Sequence, residues 1–465
     1  MLIPLKLVRD QPLQQQLYDQ LRDLIAAGRL QPGTRMPSTR MLAEQFAVSR
    51  ITVLLTYERL IADGHMETIP AKGTFVARPA SPMARCPVAH GAHPATAGAP
   101  PCSGGIGEGR IGRPDPALFP VARWRALLRD TVGRLGVGSS ADHVAGVVRL
   151  RSAIAGWLSA SRGLAVAPAQ IILVSGRQQA VHLAARMLLC TGARAVVEEP
   201  CDDRTASTYA EAGAEIVGVP VDHAGLRPDL LPEGAAALLH LTPEHQQPLG
   251  MLLSAERRAA VLEWATRAGA TIVAEDCDGE FRYGGMEAPP LMNLDREGRV
   301  IQIGCFATPL GPWITMGYLA VPPAMVEAAR AAKRLIDDAA GSVECAALAE
   351  FLESGAYARH VHRLRKTYLS RRDALLHGLH RHFGCDAVCS SGLHLAWEIP
   401  PEFDDPNALA VRARRCGLEA DTVGTAERRV LLLGFGTLSE ARLEAGLARL
   451  ASETNSWARA SQHAG

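Results

Sequence analysis

Residues 170–200 read QIILVSGRQQAVHLAARMLLCTGARAVVEEP. Two short apolar runs, QIILVS and RAVVEEP, flank a stretch with helical spacing, GRQQAVHLAARMLLC. Apolar runs of this length bounded by Gly and Pro fit buried strands, so the segment reads strand–helix–strand. The pattern repeats outward in EIVGVPV (215–221), ALLHLTP (237–243), ATIVAED (270–276) and VIQIG (300–304). Helical text such as SAERRAAVLEWATRAG (254–269) lies between them. Strands alternating with helices predict an open α/β sheet of buried parallel strands. Beyond about residue 340 long helices precede GLHLAWEIP and RVLLLGF, which predicts a smaller C-terminal lobe.

The N-terminal text differs. In QPLQQQLYDQLRDLIAAG, Leu13, Leu17, Leu21, Leu24 and Ile25 recur at helical spacing, and Gly28 stops the run. A short helix over about Ser38–Phe46 follows, with Ser38 as its N-cap. A third helix over about Ser49–Asp63 packs Val53, Tyr57, Leu60 and Ile61. HMETIPAKGTFVA then suits a hairpin turning at Pro70 to Gly73. Three helices and a hairpin make a winged helix-turn-helix over residues 1–76.

In residues 77–104, 17 of 28 residues are Ala, Pro or Gly, a composition that buries no core and reads as a linker. The expected organisation is 1–76, a linker over 77–110, and 111–460.

Composition narrows the classes. The chain has 465 residues with 49 Lys+Arg against 48 Asp+Glu, a net charge of +1, and 48% hydrophobic residues. That excludes a disordered chain and a polybasic nucleic-acid coater, though not a local DNA-binding module. No apolar run approaches a membrane span, and MLIPLKLVRDQP lacks the features of a secretory leader, so a cytoplasmic location is expected. Ten dispersed cysteines without a CxxC pair argue against a zinc ribbon or a disulfide scaffold. Only four lysines occur: Lys6, Lys72, Lys333 and Lys366.

The string GRLQPGTRMPSTRMLAEQFAVSRITVLLTYERLIADGHMETIPAKGTFV resembles the GntR-type winged helix. The resemblance implies that Arg40, Ser49, Arg50 and Thr52 face double-stranded DNA, with Lys72 and Gly73 on the wing. A recognition helix presents its N-terminal residues to base edges, and arginine reads guanine or phosphate bidentately. The module carries nine Lys/Arg and seven Asp/Glu, weakly basic, which implies a homodimer on two half-sites.

Residues 111–450 resemble the fold-type I aminotransferase domain of MocR-type regulators. The strings are GRPDPALFPVARWRALLRD, LRSAIAGWLSASRG, ILVSGRQQAVHLAARML, LTPEHQQPLG, EDCDGEFRY, GPWITMGYL, FLESGAYARHVHRLRKTYLSRRDALL and GLHLAWEIP. The resemblance implies a pyridoxal-phosphate pocket at the strand ends, joined to a DNA-binding module. That cofactor needs a lysine amine and an acid against its ring nitrogen.

This chain departs at those positions. The family pattern G-[ST]-F-S-K-T-L-x-P-x-x-R-x-G-Y is GCFATPLGPWITMGY here. Thr308 stands at the lysine, Ala307 at the phosphate-binding serine and Thr315 at the phosphate-binding arginine. Glu275, with Asp276 as alternative, stands at the ring-nitrogen acid. Cys277 replaces a tyrosine, Asp202 the stacked aromatic ring, and Leu432 the carboxylate-binding arginine. Gly176, Arg177 and Gln178 remain at a helix start, with Arg204, His245 and Gln246. Lys333, in a helical stretch well past the strand end, is a poor substitute.

The expected function is a DNA-binding transcriptional regulator, not an enzyme, whose degenerate large domain senses an effector and dimerises without covalent pyridoxal phosphate. Alternatives are a regulator holding pyridoxal phosphate non-covalently, a working aminotransferase, or a haem- or thiol-responsive regulator. The last rests on Cys201, Cys277 and Cys305 after three strands, and on Cys86–Pro87 with His90 and His93. That linker text resembles the Cys-Pro motif of haem-regulated proteins, making Cys86 and His90 candidate ligands. No other metal is expected.

Overall fold

The computed structural model describes residues 5, 13–62, 65–69, 73–76, 111–134, 148–283, 289–337, 342–384, 392–400, 403, 405–424 and 429–462. Lys72, Cys86, His90 and the expected linker lie outside them. The chain divides into two compact units, Met1–Ala92 and His93–Gly465.

The first unit contains α1 (Leu13–Ala26), α2 (Thr39–Phe46) and α3 (Arg50–Ala62). Strands β1 (Met66–Ile69) and β2 (Gly73–Val76) pair antiparallel, from Met66↔Val76 to Ile69↔Gly73. The expected helix-turn-helix and hairpin are therefore present. Leu17, Leu21, Leu42, Val53, Tyr57, Leu60, Met66 and Val76 form its core. The Ser38 hydroxyl accepts from Met41 N–H and caps α2, as the sequence suggests.

The second unit opens with α4 (Val121–Arg134) and α5 (Val148–Arg162). Its main sheet comprises β3 (Ile171–Val174), β4 (Arg194–Glu199), β5 (Glu215–Asp222), β6 (Gly225–Leu226), β7 (Leu238–Leu241), β8 (Thr271–Asp276), β9 (Val300–Cys305) and β10 (Gly317–Ala320). Their order is β3-β10-β9-β8-β7-β4-β5-β6. Helices α6 (Arg177–Leu188) and α7 (Asp203–Glu211) follow β3 and β4.

Two expectations need correction. The strands are not all parallel: β10 runs antiparallel to both β3 and β9, so QIILVS has only an antiparallel neighbour. The link over 306–316 is too short for a crossover and sends the chain straight back. Nor is EIVGVPV fully buried, since Glu215, Gly218 and Pro220 are exposed. On its outer side β5 pairs only with the two-residue β6, so it behaves as an edge.

The smaller lobe holds β11 (His394–Glu398), β12 (Glu419–Gly424) and β13 (Arg429–Gly434), in the order β11-β13-β12. Among the described residues, no helix is long and apolar enough to cross a membrane.

Candidate functional site

The parallel strands β4, β7, β8 and β9 end together, and the start of α6 meets them there. In open α/β sheets this end forms the ligand crevice. Successive residues of a strand face opposite ways. Glu275 and Asp276, at the end of β8, consequently join different networks.

Glu275 is buried and accepts from the Arg177 guanidinium. Its other oxygen lies 3.2 Å from His240 Nε2, and His240 Nδ1 lies 2.7 Å from the Tyr209 hydroxyl. Arg177 also reaches Asp202 at 3.1 Å and donates to Thr205 Oγ1 at 2.8 Å. Burial opposes charge on Glu275, but Arg177 and His240 outweigh it and hold the carboxyl well below its usual range. Asp202 does not offer a ring. It caps α7, accepting from Arg204 N–H, and pairs with the Arg204 guanidinium at 3.0 Å. Asp276 turns instead to Arg162 and Arg282.

A second network centres on Asp278. It accepts from the Thr308 hydroxyl at 2.8 Å and from Gln247 Nε2 at 3.0 Å, and lies 3.4 Å from His245 Nδ1. Thr308, at the lysine position, is thus tied to a carboxylate. His394 lies 5.3 Å from His245, ring to ring. Burial and His245 push His394 down to about 4.

Thr315 and Ala307, which the resemblance sets at phosphate-binding positions, carry no charge. The Thr315 hydroxyl donates to Ser175 O at 2.8 Å, and a Cβ on Gly176 would stand 3.0 Å from Thr315 O. Thr315 therefore lies against the start of α6 and brings no cation there. Ala307 adds no polar group. Gln178 donates to Thr208 Oγ1 at 2.7 Å, turning towards α7. Leu432 is fully buried among Leu249, Met251, Ala396, Val423 and Val430. Cys277 and Cys305 are buried at adjoining strand ends; the hydrogen bond with Cys305 and burial push the Cys277 thiol well above its usual range. Cys201 is half-buried and packs beside the cluster containing Val197 and Tyr209. Gln246, buried, donates to Pro200 O at 2.8 Å. Lys333 is buried in the helix Val326–Arg334 and paired with Asp337.

The cleft bounded by Thr242, His245, Gln247, Glu275, Asp276, Cys277 and Asp278 leaves about 0 Å³ for the centre of a water molecule. Ligand clefts commonly offer roughly 300–1,000 Å³. The residues here do not fit pyridoxal phosphate: Thr308 carries no amine, Glu275 is already paired with Arg177, and Asp202 is a carboxylate that caps α7. His240, Tyr209, Thr205 and Asp278 are site residues the sequence reading passed over. His240 carried a signal, being the one strongly polar side chain inside the apolar run ALLHL.

In the first unit, Ala47 adopts a left-handed conformation (φ 51°) between α2 and α3. The Ser49 hydroxyl accepts from Thr52 N–H at 3.0 Å and lies 2.8 Å from Thr52 Oγ1, so both serve the start of α3. Arg50 Nε reaches Thr39 Oγ1 at 3.4 Å, and the exposed Arg40 pairs with Glu44 at 3.1 Å. Gly73 opens β2 beside Arg35, whose Nε would lie 3.3 Å from an added Cβ. Arg35, missed in the sequence, lines a groove of about 550 Å³ with Pro37, Ser38, Met41, Tyr57 and Gly73.

Comparison with known proteins agrees with both units. Residues 13–76 match the family described as "Bacterial regulatory proteins, gntR family", and residues 120–405 match "Aminotransferase class I and II". The chain is 36% identical to the probable rhizopine catabolism regulatory protein MocR of Rhizobium meliloti, over 80% of this chain and 78% of that protein. It is 35% identical to the pyridoxine biosynthesis transcriptional regulator PdxR of Corynebacterium glutamicum, over 77% of this chain and 76% of that protein. It is 32% identical to the transcriptional regulator TauR of Rhodobacter capsulatus, over 94% and 96%. Among solved structures, an archaeal alanine:glyoxylate aminotransferase matches with a TM-score of 0.66 and 26% identity, over 74% of this chain and 89% of that one. The chain belongs to the MocR-type transcriptional regulators of the GntR family, in which a winged helix-turn-helix is joined to an aminotransferase-like domain of fold type I.

Proposed function

We propose that the aminotransferase-like domain of this regulator is a non-catalytic effector sensor and dimerisation unit that forms no covalent bond to pyridoxal phosphate. In this reading residues 1–76 bind DNA through Arg40, Ser49, Arg50, Thr52, Lys72 and Gly73. Residues 77–110 link them to the sensor over 111–460. The observation that carries it is the Arg177 guanidinium spanning Glu275 and Asp202, with Thr308 bonded to Asp278. The protein's own charges already satisfy one another where a cofactor's ring and amine partner belong. Only an unprotonated amine condenses with the cofactor's carbonyl, and a threonine hydroxyl supplies none.

The test is mass spectrometry after borohydride reduction in excess pyridoxal phosphate. No phosphopyridoxyl adduct is expected on the large domain. A stoichiometric adduct at Lys333 or Lys366 overturns the proposal. For the DNA arm, Arg50→Ala is expected to weaken operator binding by about 1–3 kcal/mol in a salt-controlled shift assay. Unchanged affinity removes Arg50 from the interface.

A further inference from the structure

Helix α3 is apolar on two sides. Val53, Thr56, Tyr57 and Leu60 are buried, and they complete the side facing the unit's core. On the opposite side, Ile51 is 68% exposed, Leu54 45% and Leu55 43%. These three stand at i, i+3 and i+4, so they are neighbours on one helical face. Single exposed apolar residues are ordinary, but a contiguous patch on one face marks a contact surface.

Charge narrows what covers it. Arg50 stands at the helix start, the positive end of its dipole, and the first turn of α3 carries no acidic residue. Arg40, on α2, is 80% exposed but pairs with Glu44, and the exposed Glu58 stands one turn beyond Leu54 and Leu55. The complementary surface is therefore anionic where it meets Arg50 at the start of α3, and apolar beside it. The DNA major groove has that character where thymines occur: phosphates line its edges, and each thymine projects a C5-methyl into it.

We propose that Ile51, Leu54 and Leu55 read thymine methyl groups, so that each operator half-site carries thymines beneath α3. This rests on the DNA-binding reading above and adds the class of base recognised. A recognition helix brings its first two turns to base edges, and positions 51, 54 and 55 fall in those turns. Apolar side chains offer no hydrogen bond to a guanine or cytosine edge, so a methyl group is the feature they can select.

The experiment uses the full chain. Binding sites are first selected from a random duplex library. Each thymine of the selected site is then replaced by deoxyuridine, which deletes only the methyl. One buried methyl corresponds to about a fourfold change in affinity. Wild type is expected to lose about fourfold at one to three positions per half-site. The double variant Ile51→Ala, Leu55→Ala is expected to discriminate less between the thymine and uracil duplexes, keeping only what Leu54 reads. Both side chains are exposed, so its melting temperature should match wild type, which checks that the unit is folded.

A selected site insensitive to uracil at every position overturns the inference. Undiminished methyl discrimination in the double variant also overturns it. A wild-type chain that enriches no sequence overturns the DNA-binding reading itself, and this inference with it.

Discussion

Glu198 lies buried beside the cleft, accepting from Thr242 N–H at 3.0 Å and from Thr242 Oγ1 at 2.6 Å. Burial pushes its carboxyl up to about 7 despite those bonds, from an ordinary value of 4.5. Between those values the folded chain holds a proton that the unfolded chain has lost. Its contribution to stability is therefore full below about pH 4.5 and lost as pH rises through about 7, by up to about 3 kcal/mol. Glu198→Gln is expected to flatten that fall, read as a smaller difference in urea midpoint between pH 5 and pH 8. Glu275 has the opposite sign, because Arg177 and His240 hold its carboxyl down against burial. Its contribution is present above about pH 4.5 and lost only in acid. Arg177→Met leaves Glu275 with only His240 and Asp202 with only Arg204, and is expected to cost about 3–5 kcal/mol. Arg177→Met with Glu275→Gln should recover part of that, measured as non-additive midpoints. The identities at Thr308, Ala307 and Thr315 were legible in the sequence as departures from a motif. The pairing of Arg177 with Glu275 was not, because 98 positions separate them along the chain.

At the scale of elements, α2 shows how local chemistry sets boundaries. Ser38 caps its start, and Ala47 closes its end with φ 51°, donating N–H to Ala43 O. Ser38→Ala is expected to destabilise the N-terminal unit by about 1 kcal/mol. Ala47→Gly is expected to stabilise it by up to about 1 kcal/mol, since glycine meets no Cβ penalty in that conformation. Thermal melts of the two variants check both signs; a destabilised Ala47→Gly contradicts the left-handed turn. The three helices and the hairpin were legible because each carries its own period and its own Gly, Ser or Pro boundary. β10 was not: GYLA lies inside a cofactor-type motif, and a strand's direction depends on its neighbours, not on its residues.

For the whole molecule, the weakly basic DNA-binding unit gains from two half-sites, which a homodimer supplies. Sedimentation at micromolar concentration is expected to give about twice the chain mass of 49.6 kDa. A monomer with undiminished operator binding contradicts this. The sequence alone determined the division into a winged helix-turn-helix and an α/β domain, because hydrophobic period and turn residues act over a few positions. It also showed which residues depart from the motif, Ala307, Thr308 and Thr315, because a side chain's chemistry is fixed by its identity. The tertiary structure alone decided that Arg177 spans Glu275 and Asp202, that Asp276 turns away to Arg162, and that Asp278 holds Thr308. It also showed that α3 leaves a second apolar face uncovered. These are consequences of which distant residues meet, and burial makes each meeting matter: a charge out of water requires its partner, and a contiguous apolar face left in water marks a contact surface.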